Sequence, residues 1–510
     1  MTDRKLDILY SAAEMVPFAK VGGLADVAGA LTKELARLGH KVSVFLPLYP
    51  GVRRQAGLAL EPVVGLRVRL GSHELEGTVH RARLPESGVE VYFLENDALY
   101  DRPNPYVDPA TGSDWPDNAE RFTFLSRALL ETCAVRGWAP DVIHLNDYQV
   151  GLVAPLLREE YARDGLAASA CVYSIHNLGY QGIFPSEGAE RSALEIAGEL
   201  GLNPALLHPM APLEYYGKLN FTKGALVYSD LIVAVSPTYA QEIQTPELGC
   251  GLDGVLRART GRVTGVLNGI DAEAWNPATD PLIPHNYGPS DFPGKAENKA
   301  RLLEAMHLPP DLSVPLIGVI SRLVDQKGFD LIAEVAEELF RTLEFRMVIL
   351  GSGIPKYEKL VRDLALRYPE RLGAEIGFND PLAHLIEAGS DFFLMPSRYE
   401  PCGLNQMYSM RYGTVPIVRA TGGLADTVKD FDHRSGKGTG FVFHDYDPVA
   451  LSGAIERALA AYRKPRAFKN LVTRIMGLDF SWKRAAGEYV KLYEQAMRSR
   501  EEALAEGGVG

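Results

Sequence analysis

Short apolar runs alternate along the chain with stretches in which apolar residues recur every three to four positions. The runs at residues 6–11, 42–46, 142–145, 170–175 and 231–235 read as buried strands, and the last of these is expected to close the first half. A second series follows at 316–320, 346–350, 391–395 and 415–418. Between the first two runs, Leu24, Val27, Ala28, Leu31, Leu35 and Leu38 share one helical face, and Gly39 stands where a helix stops. Further helices are expected from Ala119, from Gly151 and over residues 481–497, where Trp482, Ala485, Tyr489 and Leu492 line one side. Strand, loop, helix, strand is the repeating unit of a parallel α/β sheet.

Four stretches break the rhythm. Residues 57–95 alternate apolar and polar, as in Leu66-Arg67-Val68-Arg69-Leu70, and predict antiparallel strands at a sheet edge. Residues 100–117 are rich in Pro, Asp and Asn and read as a long loop. Residues 272–297 read as an exposed connection between two halves. The tail 501–510 is expected to be disordered. The fold class is therefore α/β, with two Rossmann-like domains at 1–250 and 265–480. Ligands of such sheets bind beyond the carboxyl ends of the strands, so a deep cleft between the facing domains is the expected site.

A length of 510 residues agrees with two cores, and 46% hydrophobic with 23% charged residues is ordinary for a globular protein. The net charge of -12 opposes the field needed for nucleic acid or an anionic membrane, so neither is expected as a partner. No apolar run approaches the roughly 20 residues of a membrane span, and the N-terminus does not resemble a secretory signal. Cys133, Cys171, Cys250 and Cys402 form no metal-binding spacing. Their low number suggests a reducing, cytoplasmic setting.

Candidate chemistry gathers at the predicted strand ends. The pentapeptide Gly22-Gly23-Leu24-Ala25-Asp26 recurs as Gly422-Gly423-Leu424-Ala425-Asp426, after Thr421. Each copy predicts a glycine turn opening a helix, which suits a phosphate, and Lys20 adds a charge beside the first. Arg322 and Lys327 leave another strand end, where two fixed cations could neutralise a diphosphate leaving group without a metal. His144-Leu145-Asn146-Asp147-Tyr148 and His176-Asn177-Leu178-Gly179-Tyr180 bring His, Asp, amide and aromatic side chains to one rim, as sugar recognition requires. Taken alone, each histidine is more simply a structural one. Glu14, Asp147 and Glu400 are carboxylates at strand ends or loops, at separations the sequence leaves open. Gly351-Ser352-Gly353 starts a dinucleotide fingerprint, but Lys356 occupies its third glycine position, so an NAD reading fails.

The ordered set Lys20 to Val27, His176-Asn177-Leu178 with Tyr180-Gln181-Gly182, Ser236-Pro237-Thr238-Tyr239 and Leu267-Asn268-Gly269-Ile270-Asp271 resembles the bacterial glycogen synthases and plant starch synthases. Ser321-Arg322-Leu323 with Gln326-Lys327-Gly328, Glu400-Pro401-Cys402-Gly403-Leu404 and Thr421 to Asp426 extend that resemblance over nearly the whole chain. The resemblance implies a GT-B fold with the helix 481–497 packing back on the first domain. It also implies transfer of glucose from ADP-glucose to an α-1,4-glucan with retention of configuration, and no metal or other cofactor. By position, Arg322 and Lys327 would hold the diphosphate, assisted by Lys20 and the turns Gly22-Gly23 and Gly422-Gly423. Glu400 would contact the donor glucose, with Cys402, Gly403, Leu404 and Thr421 around it. Asp147 and His176 would line the reacting centre, with Glu14, Tyr148, Asn177 and Tyr180 on the acceptor side, and Phe378 would lie against the base.

Two positions depart from the wider pattern of retaining GT-B enzymes. Tyr408 stands where many have a second Glu, and Asn146-Asp147-Tyr148 replaces a more usual His-Asp-Trp. The rival readings are a sugar-nucleotide epimerase on the same architecture and a non-catalytic glucan-binding protein.

Overall fold

The computed structural model describes residues 4–55, 57–85, 87–162, 165–186, 191–289 and 291–507. Two compact units result: unit 1 is Met1–Val235, Ala240–Val266 and Trp482–Gly510, and unit 2 is Ser236–Tyr239 and Leu267–Ser481.

Unit 1 is built on β1 (Asp7–Ser11), β2 (Lys41–Pro47), β3 (Glu61–Leu70), β4 (His73–Arg83), β5 (Glu90–Glu95), β6 (Val142–Asn146) and β7 (Ala170–Ile175). After a small sheet of β8 (Ile183–Phe184), β9 (Glu214–Tyr215) and β10 (Lys218–Asn220) come β11 (Leu231–Ala234) and β12 (Val263–Gly265). The large sheet runs β12-β11-β7-β6-β1-β2-β5-β4-β3. From β12 to β5 every pairing is parallel, and β4 and β3 add an antiparallel edge. Two expectations change here. The first half closes on β12 rather than on residues 231–235, and β5, antiparallel to β4 as expected, is parallel to β2 and so joins the edge to the core.

β1 lies between β2 and β6, so the chain order reverses there. Loops leaving β1 and β6 must then diverge, opening a crevice at their carboxyl ends. The helix Gly23–Arg37 leaves that crevice and buries Leu24, Val27, Ala28, Leu31 and Leu35, as the spacing predicts, whereas Leu38 lies just past its end and is exposed. The expected helix from Gly151 begins as a 3-10 turn at Tyr148–Val150 and becomes α-helical at Val153–Glu159.

The loop 100–117 is pinned by a buried arginine. Arg121 donates from Nε to the Leu99 carbonyl at 2.7 Å and from Nη1 to the Pro105 carbonyl at 2.9 Å. Asn118 Nδ2 holds the Tyr106 carbonyl at 3.0 Å.

The last helix, Trp482–Ala505, buries Trp482, Ala485, Ala486, Tyr489, Tyr493 and Ala496 in the core of unit 1. Tyr493 bonds His144 Nδ1 through its hydroxyl at 2.8 Å, and Arg500 donates to the Ala167 carbonyl at 2.7 Å. That buried arginine carries the helix past residue 497, so residues 501–505 are helical rather than a disordered tail; residues 508–510 lie outside the described set.

In unit 2, β13 (Leu316–Ile320), β14 (Arg346–Gly351), β15 (Leu372–Ile376), β16 (Phe392–Met395), β17 (Val415–Arg419) and β18 (Phe441–Phe443) form a parallel sheet in the order β15-β14-β13-β16-β17-β18. The chain order reverses between β13 and β16. The stretch 272–297 is exposed at many positions, as expected, but it belongs to this unit rather than linking the two, and a few side chains anchor it. Trp275 stacks between His384 and Tyr408 at centroid distances of 3.9 and 4.0 Å. Asp280 is buried and accepts from the Tyr412 hydroxyl at 2.6 Å and from His384 Nδ1 at 2.7 Å. These plugs follow no strand or helix period, so periodicity passes over them. No helix among the described residues is long and apolar enough to cross a membrane.

Candidate active site

In unit 1, functional side chains collect where the sheet order reverses. Just beyond β1, Glu14 is buried, and its Oε2 accepts the backbone N–H of Val21 and, at 3.1 Å, that of Gly22. The Tyr106 hydroxyl adds a third bond. Burial pushes the Glu14 carboxyl up to about 7, against the lowering effect of those donors. Gly22 caps the helix in extended backbone at φ -141, and Gly23 begins it. The Lys20 ammonium lies 2.8 Å from Asp26 in the first turn, with both side chains partly exposed.

Beyond β6, Asp147 adopts φ 56 and ψ -179, a region that side chains other than glycine rarely enter. The surroundings hold it there. Its N–H bonds the Ser174 carbonyl at 3.1 Å, and Oδ1 accepts the His176 N–H at 2.8 Å. Asn177 N–H donates to the same carboxylate. Strain of this kind costs on the order of 1–3 kcal/mol and marks sites where geometry matters more than stability. Burial raises the Asp147 carboxyl to about 7, and the charge of Glu14 adds to the rise.

Burial lowers His176 to about 3, so its imidazole is neutral at pH 7. Its tautomer follows from the bonds around it. Asn146 Nδ2 donates to the Ser11 carbonyl at 3.0 Å, which turns Oδ1 toward His176 Nε2 at 2.9 Å. Nε2 therefore carries the proton and Nδ1 is the acceptor. Tyr10 donates to the same Oδ1 at 2.9 Å. Asn177 turns the loop by accepting the Tyr180 N–H at its carbonyl, 3.1 Å, and the Gly179 N–H at Oδ1, 3.0 Å. Tyr180 is left largely exposed. Tyr148 is buried, with its ring edge-to-face on Phe122 at 5.6 Å, so it packs behind the rim rather than facing a sugar. His144, bonded to Tyr493 and Ser174, has a structural role.

In unit 2, the loops after β13 and β16 meet. Lys327 Nζ lies 2.7 Å from Glu400 Oε2, which also accepts from Ser397 Oγ at 3.0 Å. Arg322 is exposed and reaches Gln326 Oε1 at 3.1 Å. Two straps fix the loops: Asn405 Nδ2 to the Ile320 carbonyl at 2.9 Å, and Arg398 N–H to the Gln326 carbonyl at 2.9 Å. Cys402 is buried and its thiol is pushed up to about 12, so it remains protonated. Gly403 turns the chain at φ 69 before Leu404 leads into the helix Asn405–Arg411. Phe378, between β15 and the helix Asp380–Gly389, is 91% exposed, a ring open on the surface.

The repeated pentapeptide folds differently in its second copy. The helix Gly422–Thr427 has six residues against fifteen for Gly23–Arg37, so it is less than half as long. Its glycines are there for close approach. A Cβ on Gly422 would lie 1.9 Å from the Glu400 carbonyl oxygen, and one on Gly423 1.9 Å from that of Cys402. Gly423 N–H bonds the Glu400 carbonyl at 3.2 Å, and Thr421 beside it is buried. Asp426 receives the N–H and hydroxyl of Thr238 at 2.9 and 2.7 Å, and Ser236 Oγ donates to the Pro401 carbonyl at 2.6 Å. Ser236–Tyr239 thus belongs to unit 2, although the sequence reading places it in the first domain.

Sequence reasoning missed Tyr106, Asn146, Ser397 and Asp426 as supporting groups. Asn146 and Asp426 stand inside quoted motifs, but only the fold shows that Asn146 orients His176, that Asp426 holds Thr238 and that Ser397 bonds Glu400. Among the described residues, no group of three His, Cys, Asp or Glu side chains is arranged to hold a metal.

The family model described as starch synthase catalytic domain matches residues 7–258, and that described as glycosyl transferases group 1 matches residues 307–472. Glycogen synthase 1 of Methylococcus capsulatus is 46% identical over 499 residues, covering 96% of this chain and 97% of that protein. The glycogen synthase of Syntrophotalea carbinolica is 47% identical over 494 residues, covering 96% and 99%. The chain belongs to the family of glycogen and starch synthases. Among solved structures, the catalytic domain of starch synthase IV from Arabidopsis thaliana, bound to ADP and acarbose, is 34% identical. It superposes with a TM-score of 0.86 over 97% of this chain and 100% of that one. This member of the family is accordingly a glycosyltransferase with the two α/β units of the GT-B fold. Tyr408, at the position where the wider pattern has a second Glu, is here a stacking partner of Trp275.

Proposed function

We propose that this glycogen synthase family member transfers glucose from ADP-glucose to the non-reducing 4-hydroxyl of an α-1,4-glucan such as glycogen, retaining configuration and releasing ADP. The observation that carries the reading is the joining of Lys327, Glu400 and Ser397 at the switch point of the unit 2 sheet, with Arg322 on the same loop. The bond between glucose C1 and the diphosphate oxygen breaks, and the bond to the acceptor O4 forms on the same face. The acceptor proton passes to the departing phosphate oxygen. Arg322 and Lys327 offset the charge that develops on that diphosphate, so the scheme calls for no metal and no cofactor. Lys20 and the glycine turns assist.

Glu400 serves as an anchor for the donor glucose. Lys327 and Ser397 both engage Oε2, which leaves Oε1 to accept from a sugar hydroxyl. Phe378 offers its exposed face to the base. In unit 1, Asp147 and neutral His176 hydrogen-bond the reacting sugars, with Glu14, Asn177 and Tyr180 on the acceptor side. The four free cysteines support a cytoplasmic setting. An epimerase would isomerise its sugar nucleotide without a glucan. A binding protein would leave the donor intact. Release of nucleoside diphosphate that depends on added glycogen separates this reading from both.

A further inference from the structure

Gln406 lies in the first turn of the helix Asn405–Arg411, is fully buried, and plays no part in the proposed transfer. A buried amide is costly unless its hydrogen bonds are made. Its Nε2 reaches the Gly403 carbonyl at 2.9 Å, the Cys402 carbonyl at 3.2 Å and Thr427 Oγ1 at 3.3 Å. Thr427 Oγ1 donates its own hydrogen to the Gly423 carbonyl at 2.6 Å, so toward Gln406 it can only accept. Three acceptors on one side settle the amide with its nitrogen toward them. Oε1 is buried without a hydrogen-bond partner, so the side chain acts through Nε2.

These bonds join two pieces of the candidate donor site. Cys402 and Gly403 follow Glu400 on the loop after β16, and Thr427 ends the helix that begins at Gly422. Gly403 turns at φ 69, and a Cβ built on it would lie 2.5 Å from Gln406 Oε1 and 3.1 Å from Glu400 Cγ. Gly403 is thus packed against both side chains, with no room for one of its own. The Glu400 carbonyl in turn accepts the Gly423 N–H at 3.2 Å. Lys327 and Ser397 hold the Glu400 carboxylate, and Gln406 holds the backbone it stands on.

We infer that Gln406 is a positioning residue for the donor site, tying the turn Cys402-Gly403 to Thr427 and so keeping Glu400 where it meets the donor glucose. The inference rests on the proposed role of Glu400. Because Gln406 acts through that carboxylate, its effect on the donor should vanish once the carboxylate is removed.

The test measures ADP-glucose affinity by calorimetry, and transfer to glycogen, for wild type, Gln406→Met, Glu400→Ala and the double variant. Methionine fills similar space without a donor. Gln406→Met should weaken ADP-glucose about 5- to 20-fold, the effect of one or two lost hydrogen bonds, and leave KM for glycogen and the binding stoichiometry unchanged. Gln406→Glu keeps the shape but turns an oxygen toward two carbonyls, and should weaken binding at least as much. The double variant should bind no more weakly than Glu400→Ala. Unchanged affinity in Gln406→Met and Gln406→Glu overturns the inference. So do losses that multiply in the double variant, or a lowered stoichiometry at wild-type affinity, the mark of a residue that serves the fold alone. Wild-type protein that binds ADP-glucose with these effects but transfers nothing to glycogen overturns the proposed reaction and leaves the positioning role standing. Transfer by the wild type without these effects does the reverse.

Discussion

Lys327 Nζ stands 2.7 Å from Glu400 Oε2, although the two residues are 73 positions apart in the chain. Neighbouring parallel strands deliver them, β13 through its following turn and β16 through its following loop. The pair places a cation for a leaving diphosphate beside a carboxylate for a sugar. Replacing Lys327 by Ala should lower kcat about 10²-fold or more, the usual cost of removing one fixed donor from a developing oxyanion. Steady-state kinetics on a variant with an unchanged circular dichroism spectrum checks this.

Asp147 gives a pH signature. Its folded carboxyl is raised to about 7, above the ordinary value near 4. The folded protein therefore keeps a proton that the unfolded chain gives up across that interval. The stabilising effect of the neutral carboxyl is complete below about pH 4 and is lost as pH rises through about 7. Thermal melts should show stability falling between these limits, and Asp147→Asn should reduce the fall without abolishing it, since Glu14 is also raised to about 7. Wild-type activity should climb over about pH 6 to 8 as Asp147 and Glu14 ionise, and the Asp147→Asn variant should show a smaller climb.

The two pentapeptide copies should respond differently to the same change. Gly422→Ala forces a Cβ toward the Glu400 carbonyl at a residue with φ 44, and should cost about 1–3 kcal/mol and most activity. Gly22→Ala meets only an ordinary contact, 3.6 Å from Glu14 Oε1, at a φ any residue can adopt. Its stability cost should stay below about 1 kcal/mol. Chemical denaturation of both variants measures the difference.

Tyr408→Glu should not recover a sugar-binding carboxylate. It removes the ring stacked on Trp275 and buries a charge beside it, costing about 3 kcal/mol or more. A melt of the variant at neutral pH tests this.

Much of the site was legible because it follows strand ends. Apolar runs located β1, β6, β7, β13 and β16, and the residues just beyond them included Glu14, Asp147, His176, Arg322 and Glu400. What stayed hidden depends on side chains that fill gaps without a period. Trp275 and Asp280 look like loop residues until the ring of Tyr408 and the hydroxyl of Tyr412 are packed on them. Arg500 turns an acidic tail into the last turns of a helix through one carbonyl, that of Ala167. The pentapeptide opens a helix in both copies, as read, but only the structure shows that the second helix stops after six residues, with Val428 in extended backbone, and that its glycines lie against the carbonyls of Glu400 and Cys402.

The most direct measurement incubates the protein with glycogen and glucose-labelled ADP-glucose, with UDP-glucose in parallel. ADP release and label in the polymer are followed together. The account requires both to appear in equal amounts, to depend on glycogen, and to be greater with ADP-glucose. Release of ADP without incorporation, an isomerised sugar nucleotide, or no turnover of either donor would contradict it.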